Sequence, residues 1–252
     1  MKISRTLKKL SAVIMAFAML IGVAGGFGGE ITAKASTNPV KMYYCDPIIP
    51  EWRGYREYDV YIQIEAGSAA NKEVYVHHGS SYSAEWMDTQ ASFVTKLDAN
   101  TEIWKAKVSG RENAGTEYAI KYIGDGQTYW DNNNGNNYTM NDILGQANVK
   151  AERISYQTPS NYKIQAIVKN LSYAKVVKVR YTLNNWSTYQ DVNLSYESSI
   201  TGTDMERWGV TLQFDESNLD SFHYCICYEV NGQTYWDNNF GANYDRSFYR
   251  PL

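Results

Sequence analysis

The chain has 252 residues, of which 44% are hydrophobic and 14% are aromatic, with 24 basic and 27 acidic side chains. The first 35 residues hold five of the basic side chains and one acidic side chain, so the remainder carries a net charge of −7. An acidic chain without a basic run is a poor candidate for binding nucleic acid or an anionic membrane surface, and neutral partners are expected instead.

Residues 1–35 have the pattern of a secretory signal peptide. A basic start is followed by an apolar run at residues 10–24 and by an Ala-x-Ala cleavage site at residues 33–35. The alternative is an uncleaved membrane anchor, but the apolar run is shorter than the ~20 residues that span a bilayer. The expected mature protein is therefore secreted and extracellular, without a membrane segment.

The remaining chain alternates apolar and polar residues with a period of two, which predicts half-buried β-strands. No convincing amphipathic helix interrupts them. The expected fold is all-β, with two tandem immunoglobulin-like antiparallel β-sandwich modules at residues 38–145 and 150–252. Trp104 and Trp208 share the apolar parity of their strands and are predicted to be core residues. We call residues 38–145 the first module and residues 150–252 the second module.

Three cysteines are too few for a disulfide framework. Cys225 and Cys227 lie on one face of a predicted strand, where Cys45 could pair with one of them. The simpler interpretation is that all three are small buried apolar residues. The three histidines form no zinc-site spacing with these cysteines, and neither a metal ion nor another cofactor is expected.

One stretch of the chain occurs twice, 106 residues apart. Residues 126–138 read Gly-Gln-Thr-Tyr-Trp-Asp-Asn-Asn-Asn-Gly-Asn-Asn-Tyr, and residues 232–244 differ from them at only two positions. Such a spacing indicates duplication of a whole small domain. Trp130 and Trp236 precede short amides and a glycine, which favour a loop. An apolar ring beside hydrogen-bonding amides is suited to binding a sugar ring, which has an apolar face and hydroxyl groups at its edge.

Asp131 and Asp237 within this repeat are predicted to accept hydrogen bonds from backbone donors of the turn. The alternative is a calcium loop, in which Asp142 would be the closing ligand. The second copy weakens that alternative, because it has Phe240 within the loop and Phe248 at the position of Asp142.

The second module contains a block from Lys169 to Thr182 that reads Lys-Asn-Leu-Ser-Tyr-Ala-Lys-Val-Val-Lys-Val-Arg-Tyr-Thr, followed by Asn185-Trp186 and by the Trp-Asp-Asn-Asn loop. With these motifs in this order, it resembles family-21 carbohydrate-binding modules over nearly its whole length. The resemblance implies a non-catalytic β-sandwich that binds α-1,4-glucan through aromatic platforms. The principal site would use Trp186 and Trp236 as stacking faces, and its hydrogen-bonding residues would be Asn170, Lys175, Asn238 and Asn243.

The resemblance also places Tyr173 at a second, weaker site. Where some members of the family carry a further stacking tyrosine, the register here gives Cys225 or Tyr224. The resemblance therefore implies no stacking contact at this position.

The first module is more divergent and resembles families 21, 25 and 53 only in part. It retains Trp130, Asn132 and Asn137 of the repeated loop, and Lys72 aligns with Lys175. The resemblance implies a binding tryptophan after a short glycine-containing loop. Trp86 is the candidate partner of Trp130, with Tyr82 as its substitute.

These features predict a secreted, non-catalytic protein that binds starch, glycogen or maltooligosaccharides. One alternative is an accessory scaffold or targeting subunit of an extracellular amylolytic system, whose enzyme partner the sequence does not name. The other is a small glycoside hydrolase, which would need two carboxylates facing each other across a cleft. The duplication of the whole domain argues against a single shared cleft.

Overall fold

A computed structural model describes residues 38–48, 55–79, 85–111, 117–153, 161–213 and 221–248. The predicted signal peptide and Tyr82 lie outside these residues. Within the described ranges the regular secondary structure is almost entirely strand, and none of the few helical turns has the length and apolar character to cross a membrane.

In its described residues, the first module has eight strands in two antiparallel sheets. They are β1 (Val40–Ile48), β2 (Tyr55–Glu65), β3 (Lys72–Gly79), β4 (Trp86–Gln90), β5 (Ser92–Asp98), β6 (Thr101–Arg111), β7 (Tyr118–Gly124) and β8 (Gln127–Asp131). One sheet has the order β1-β2-β6-β5 and the other β4-β3-β7-β8. This arrangement corresponds to the ABED and C′CFG sheets of the immunoglobulin fold.

The second module repeats this order, with nine strands in the part that the structure describes. They are β9 (Val149–Glu152), β10 (Asn161–Lys169), β11 (Lys175–Thr182), β12 (Gln190–Asn193), β13 (Ser195–Ser199), β14 (Met205–Gln213), β15 (His223–Val230), β16 (Gln233–Asp237) and β17 (Tyr244–Asp245). Its sheets are β13-β14-β10-β9 and β12-β11-β15-β16, and β17 also pairs with β15. The prediction of two antiparallel β-sandwich modules is confirmed.

The alternating residues of the strands face each other across each sandwich. In the first module Val60 and Ile62 of one sheet pack with Val74 and Ile120 of the other in a single buried cluster. Val177, Tyr224 and other inward residues form the equivalent cluster in the second module. Each fully buried aliphatic side chain contributes about 1.5–3 kcal/mol. Trp104 and Trp208 are only half-buried and lie at the margins of these clusters.

The three cysteines are buried and free. The possible pairing of Cys45 is therefore not observed, and the interpretation as small buried residues holds. Tyr224 points into the core, whereas Cys225 and Cys227 lie on the outward side of β15. Of the two residues considered for the further stacking position, Cys225 is therefore the one that faces outward.

The two copies of the repeated loop fold alike. Each contains a single 3₁₀ turn, Asn133–Gly135 in the first module and Asn239–Gly241 in the second, with φ of 56° at Asn134 and 55° at Phe240. In both turns the preceding asparagine side chain accepts a hydrogen bond from the glycine N–H. Short amides tolerate this left-handed backbone, whereas Phe240 requires other support.

The aspartates of the loops connect distant strands rather than serving the turn alone. Asp131 accepts hydrogen bonds from the backbone N–H of Met42 at 2.8 Å and from the hydroxyl of Tyr138 at 2.8 Å. Asp237 likewise accepts from the N–H of Ala151 at 2.6 Å and from Tyr244. The prediction that these aspartates bind backbone donors of the turn was wrong for Asp131, whose backbone donor lies on β1. For Asp237 it was incomplete, because Asp237 accepts a hydrogen bond from the Asn239 N–H in the turn at 3.3 Å as well as the bond from β9.

The modules touch through an aromatic contact. Phe240 of the second module packs onto Tyr43, Tyr44 and Tyr61 of the first, with ring centroids 6.0, 5.8 and 5.3 Å away. We call these three tyrosines the tyrosine socket. The contact supports the left-handed backbone of Phe240, since the ring gains apolar neighbours that Asn134 lacks.

A buried ion pair lies at the same junction. Lys150 of β9 binds the carboxylate of Asp46 on β1 at 2.8 Å, and Arg153 binds its other oxygen at 2.9 Å. Burial opposes the ionisation of Asp46, but the charges of Lys150 and Arg153 outweigh it and lower the pKa of its carboxyl. The junction therefore combines aromatic packing with a charge pair that depends on both modules.

Candidate functional site

The outward face of the β12-β11-β15-β16 sheet carries an aromatic cluster around one arginine. The Arg180 guanidinium carbon lies 4.1 Å from the ring centroid of Tyr189 and 5.0 Å from that of Trp236. Tyr189 is 55% exposed and Trp236 is 43% exposed. The positive charge is attracted to the electron-rich ring faces, so the guanidinium connects the two rings. We call Arg180, Tyr189, Asp191 and Trp236 the outer platform.

Asp191 fixes the arginine of the outer platform. It lies opposite Arg180 in the β11–β12 register and accepts two hydrogen bonds, at 2.7 Å from Nε and 2.8 Å from Nη2. These bonds raise the pKa of Arg180 and lower the pKa of Asp191. A two-point bond holds the planar guanidinium in one orientation. The rings on either side are thereby held at a defined spacing.

A second set of predicted residues lies elsewhere. Lys175 shares the inward parity of β11 with Val177 and Val179, whereas Arg180 and Trp236 face outward. Lys175 lines a pocket of about 590 Å³, whose walls also include Asn170, Tyr173, Tyr196, Glu206 and Trp208. We call it the Tyr173 pocket. The prediction that Asn170 and Lys175 share one site with Trp236 is therefore corrected.

The floor of the Tyr173 pocket is a charge network. Lys175 pairs with Glu206 at 2.8 Å and also donates a hydrogen bond to the side-chain oxygen of Asn170. The indole N–H of Trp208 donates to the same Glu206 carboxylate at 3.0 Å. Tyr173 projects above this floor with its side chain fully exposed. The pocket thus combines an aromatic wall with fixed polar groups, as saccharide sites do.

Trp186 lies in the turn that follows β11. It is half-buried, has a φ of 66°, and donates its backbone N–H to the Thr182 hydroxyl at 3.0 Å. A bulky residue with a left-handed backbone is uncommon and is often associated with function. The described aromatic ring that shares Arg180 with Trp236 is Tyr189, however, so the pairing of Trp186 with Trp236 stays a prediction.

The loop asparagines of the second module serve its backbone. Asn238 accepts from Gly241 N–H at 3.0 Å, and Asn243 has a φ of 60° and donates its N–H to the Asn238 carbonyl. Asn238 is exposed and Asn243 half-buried. Their role toward a ligand stays a prediction.

The first module places its predicted residues in a similar way. Trp86 and Trp130 both contact His77, with ring centroids 5.0 and 5.3 Å from it. The structure thus brings the two predicted tryptophans to one place. Lys72 is not with them, because it faces inward and pairs with Glu102 at 2.9 Å. The assignment of Lys72 to the Trp130 site is therefore corrected.

The loop asparagines of the first module also bind their own backbone or neighbours. Asn132 accepts from Gly135 N–H at 3.1 Å, and the Asn137 amide donates to Glu117 at 3.2 Å. Their contact with a ligand stays a prediction. The two carboxylates that the calcium alternative needs are engaged in hydrogen bonds within the protein. Asp131 binds Met42 and Tyr138, and Asp142 binds Thr139 at 2.9 Å. In the described ranges, no three His, Cys, Asp or Glu side chains are grouped to hold a metal ion.

Arg180, Tyr189 and Asp191 were missed from the sequence. Their signal was present: Arg180 has the outward parity of β11, and Tyr189 and Asp191 share one parity on the next segment. Tyr196 was also missed, and Trp208 was assigned only to the core. Both line the Tyr173 pocket.

Residues 144–247 match the model of the carbohydrate/starch-binding module family 21. Protein phosphatase 1 regulatory subunit 3B of Danio rerio is 40% identical over 80 residues, which is 31% of this chain and 27% of that protein. The Homo sapiens subunit 3B is 35% identical over 80 residues, or 31% of this chain and 28% of that protein. The chain therefore spans little more than a quarter of the length of these relatives.

Two solved structures are also similar. The starch-binding domain of Rhizopus oryzae glucoamylase, in complex with β-cyclodextrin and maltoheptaose, is 30% identical and aligns over 39% of this chain and 92% of its own, with a TM-score of 0.33. The carbohydrate-binding module of the muscle glycogen-targeting subunit of protein phosphatase 1 is 28% identical over 38% and 73% of the two chains, with a TM-score of 0.34. The family match does not extend into the first module, so a tandem pair of such modules stays a prediction. Over residues 144–247, this chain belongs to the carbohydrate/starch-binding module family 21.

Proposed function

We propose that the protein is a secreted, non-catalytic α-1,4-glucan-binding protein that binds starch, glycogen or maltooligosaccharides through its second module. The observation that carries this proposal is the outer platform within the family-21 range: two exposed rings held apart by one fixed guanidinium. Each ring offers a flat apolar face to a glucose unit, and the spacing between the rings selects the curvature of the chain.

The Tyr173 pocket supports the same proposal as a second contact. A sugar ring stacked on the exposed face of Tyr173 would lie near the Asn170 amide and the Lys175 ammonium. Both polar groups are already oriented by their mutual hydrogen bond. Less ordering is therefore needed when hydroxyl groups bind.

The charges favour binding over hydrolysis. Hydrolysis needs two carboxylates, one as acid and one as base or nucleophile, facing the same glycosidic bond. The carboxylates at the two sites are engaged instead: Asp191 with Arg180 at 2.7 Å and Glu206 with Lys175 at 2.8 Å. The hydrogen bonds from Arg180 lower the pKa of the Asp191 carboxyl, so that group resists the protonation that a general acid requires.

The proposals of secretion and of a partner rest on the sequence and on the relatives, and not on the geometry of the sites. Export is supported by the signal-like residues 1–35, which lie outside the described structure. The relatives are named as regulatory subunits of protein phosphatase 1, which supports a targeting role in which the module holds an attached activity on a glucan. For an exported chain, we propose that the attached activity belongs to an extracellular amylolytic system.

Affinity electrophoresis in gels containing soluble starch, glycogen or a β-1,4-glucan tests this function. We expect retardation by the α-glucans alone, because the platform selects a curved chain. Trp236→Ala should weaken retardation by about tenfold, which corresponds to ~1.4 kcal/mol, and adding Tyr173→Ala should remove most of the rest. Phe93→Ala, which removes a 50% exposed ring outside both sites, is the matched control. Equal retardation by the β-glucan, or none in any gel, would refute the proposal.

A further inference from the structure

The outward face of the first module reproduces the outer platform, although it lies outside the family match. His77 and Arg180 are each the sixth residue of an eight-residue strand. Each faces an aspartate across the next strand, Asp88 for His77 and Asp191 for Arg180. An aromatic residue stands two positions before each aspartate: Trp86 in the first module and Tyr189 in the second. The same register therefore builds both clusters.

The rings of the first cluster form a bent surface. His77 is stacked on Trp86 with 26° between their planes and 5.0 Å between their centroids. It meets Trp130 edge-on, at 76° and 5.3 Å. Trp86 is 39% exposed and Trp130 is 43% exposed, close to the exposure of Trp236. A histidine ring thus fills the gap that the guanidinium fills in the second module.

The charges around His77 are internally compensated. Asp88 binds Nδ1 of His77 at 2.6 Å through one oxygen and the Lys121 ammonium at 2.7 Å through the other. Partial burial opposes the ionisation of Asp88, but these two hydrogen bonds lower the pKa of its carboxyl. Among the described residues, none is hydrogen-bonded to Nε2 of His77. The His77 side chain is 30% exposed, which gives a ligand access to this ring.

The first module keeps the floor of the Tyr173 pocket but differs from it at two positions of the wall. Lys72 pairs with Glu102 at 2.9 Å, and the Trp104 indole donates to Glu102 at 3.2 Å, as in the second module. Ala70 and Gly67 stand where Tyr173 and Asn170 would be. The exposed tyrosine and the amide of the pocket are therefore replaced here, and the outward cluster is the candidate binding surface of this module.

We propose that Trp86, His77 and Trp130 form a separate binding site for a neutral gluco-oligosaccharide on the first module. The two indoles supply the apolar faces, the compensated charges suit an uncharged ligand, and His77 holds Trp86 against Trp130 while presenting Nε2 to a hydroxyl. The choice of a gluco-oligosaccharide as the ligand rests on the proposed function of the second module. It makes the chain bivalent, with the two platforms joined through the Phe240 contact.

The test uses the full chain with the second module silenced by Trp236→Ala and Tyr173→Ala, and maltoheptaose as the probe in calorimetric titration. We expect this background to retain one weak site. Adding Trp86→Ala or Trp130→Ala should weaken it at least tenfold. His77→Ala should do the same, whereas His77→Arg should stay within about threefold, because arginine fills this position in the second module. Met87→Ala, on the opposite face of β4 and 50% exposed, is the control.

The outcomes separate the two proposals. If the wild-type chain binds maltoheptaose and the silenced background does not, the first-module site is refuted and the function of the second module stands. If the wild-type chain binds nothing, the proposed function itself fails. Equal thermal midpoints for His77→Ala and His77→Arg, with binding lost only in the former, would support a positioning role. Equal binding by the two variants would contradict that role.

Discussion

Arg180 fixes the positions of both rings of the outer platform. Its Nε and Nη2 groups are bound by Asp191, so the guanidinium plane has one orientation. The ring centroids of Tyr189 and Trp236 then lie 4.1 and 5.0 Å from the guanidinium carbon. A lysine would keep the charge but could not make the two-point bond or the flat contact. The outer platform therefore depends on the shape of arginine as well as on its charge.

The cysteines beside and beneath these sites should be chemically inert. Burial raises the pKa of Cys45 and of Cys225 to about 12, and that of Cys227 to about 11. At pH 8 a thiol with a pKa near 12 is thiolate in only about one molecule in ten thousand. We expect iodoacetamide at pH 8 to leave all three unmodified in the native protein and to label all three in urea. Mass spectrometry reads both states, and rapid native labelling of Cys225 would contradict the buried placement.

At the scale of elements, strand periodicity predicted most of the fold. Alternation identified the strands, and the repeat identified two modules. The same rule, applied to β11, would have separated Lys175 from Arg180, because odd steps along a strand change face. The error in grouping Lys175 with Trp236 arose because family resemblance was read in sequence order. The Tyr189 contact needed the pairing of β11 with β12, which the sequence does not state directly.

The repeated loop shows a different limit. Its turn and its left-handed residues follow from short amides and glycine. The partners of Asp131 and Asp237, by contrast, come from β1 and β9, far away in the sequence. The socket for Phe240 depends on how the modules meet, which no local pattern encodes. Long-range partners are therefore what sequence reasoning missed.

Phe240 offers a direct test of the loop as a connecting element. Phe240→Asn restores the residue of the first module and removes the ring from the tyrosine socket. We expect it to lower the free energy of unfolding by roughly 1–3 kcal/mol, since a half-buried ring is lost, and to separate the unfolding of the two modules. Urea unfolding followed by circular dichroism measures this. Ala242→Asn, the other difference between the two loops and an exposed position, is the control and should change little.

At the scale of the whole molecule, the buried charge pair makes the junction sensitive to acid. The pKa of Asp46 is lowered in the folded protein, so its stabilisation is present above the unfolded value of about 3.9. That stabilisation is lost as the pH falls through the lower folded value. The folded protein should therefore lose stability in acid beyond what its exposed carboxylates explain.

The Asp46→Asn variant isolates this effect. It leaves the Lys150 ammonium buried without its carboxylate, which should cost about 3–5 kcal/mol at pH 7. The loss of stability between pH 5 and pH 3 should also be smaller in the variant than in the wild type. Glu57→Gln breaks an exposed pair with Lys107 and should cost at most about 1 kcal/mol. Identical acid profiles for Asp46→Asn and the wild type would contradict this account.

The tyrosine socket and the Phe240 ring are two different surfaces that fit each other. A contact of this head-to-tail kind can in principle link one molecule to the next into an open filament. In the described residues, each module carries only one half of this contact. The loop of the first module offers Asn134 in place of Phe240, and the second module has Glu152 and Gln165 at the paired positions where the first has Tyr44 and Tyr61. Glu152 is bound by Arg207 at 2.5 and 2.7 Å. Among the described residues, ring and socket thus occur once each and already face one another, so this contact is used up within the chain instead of linking one chain to the next.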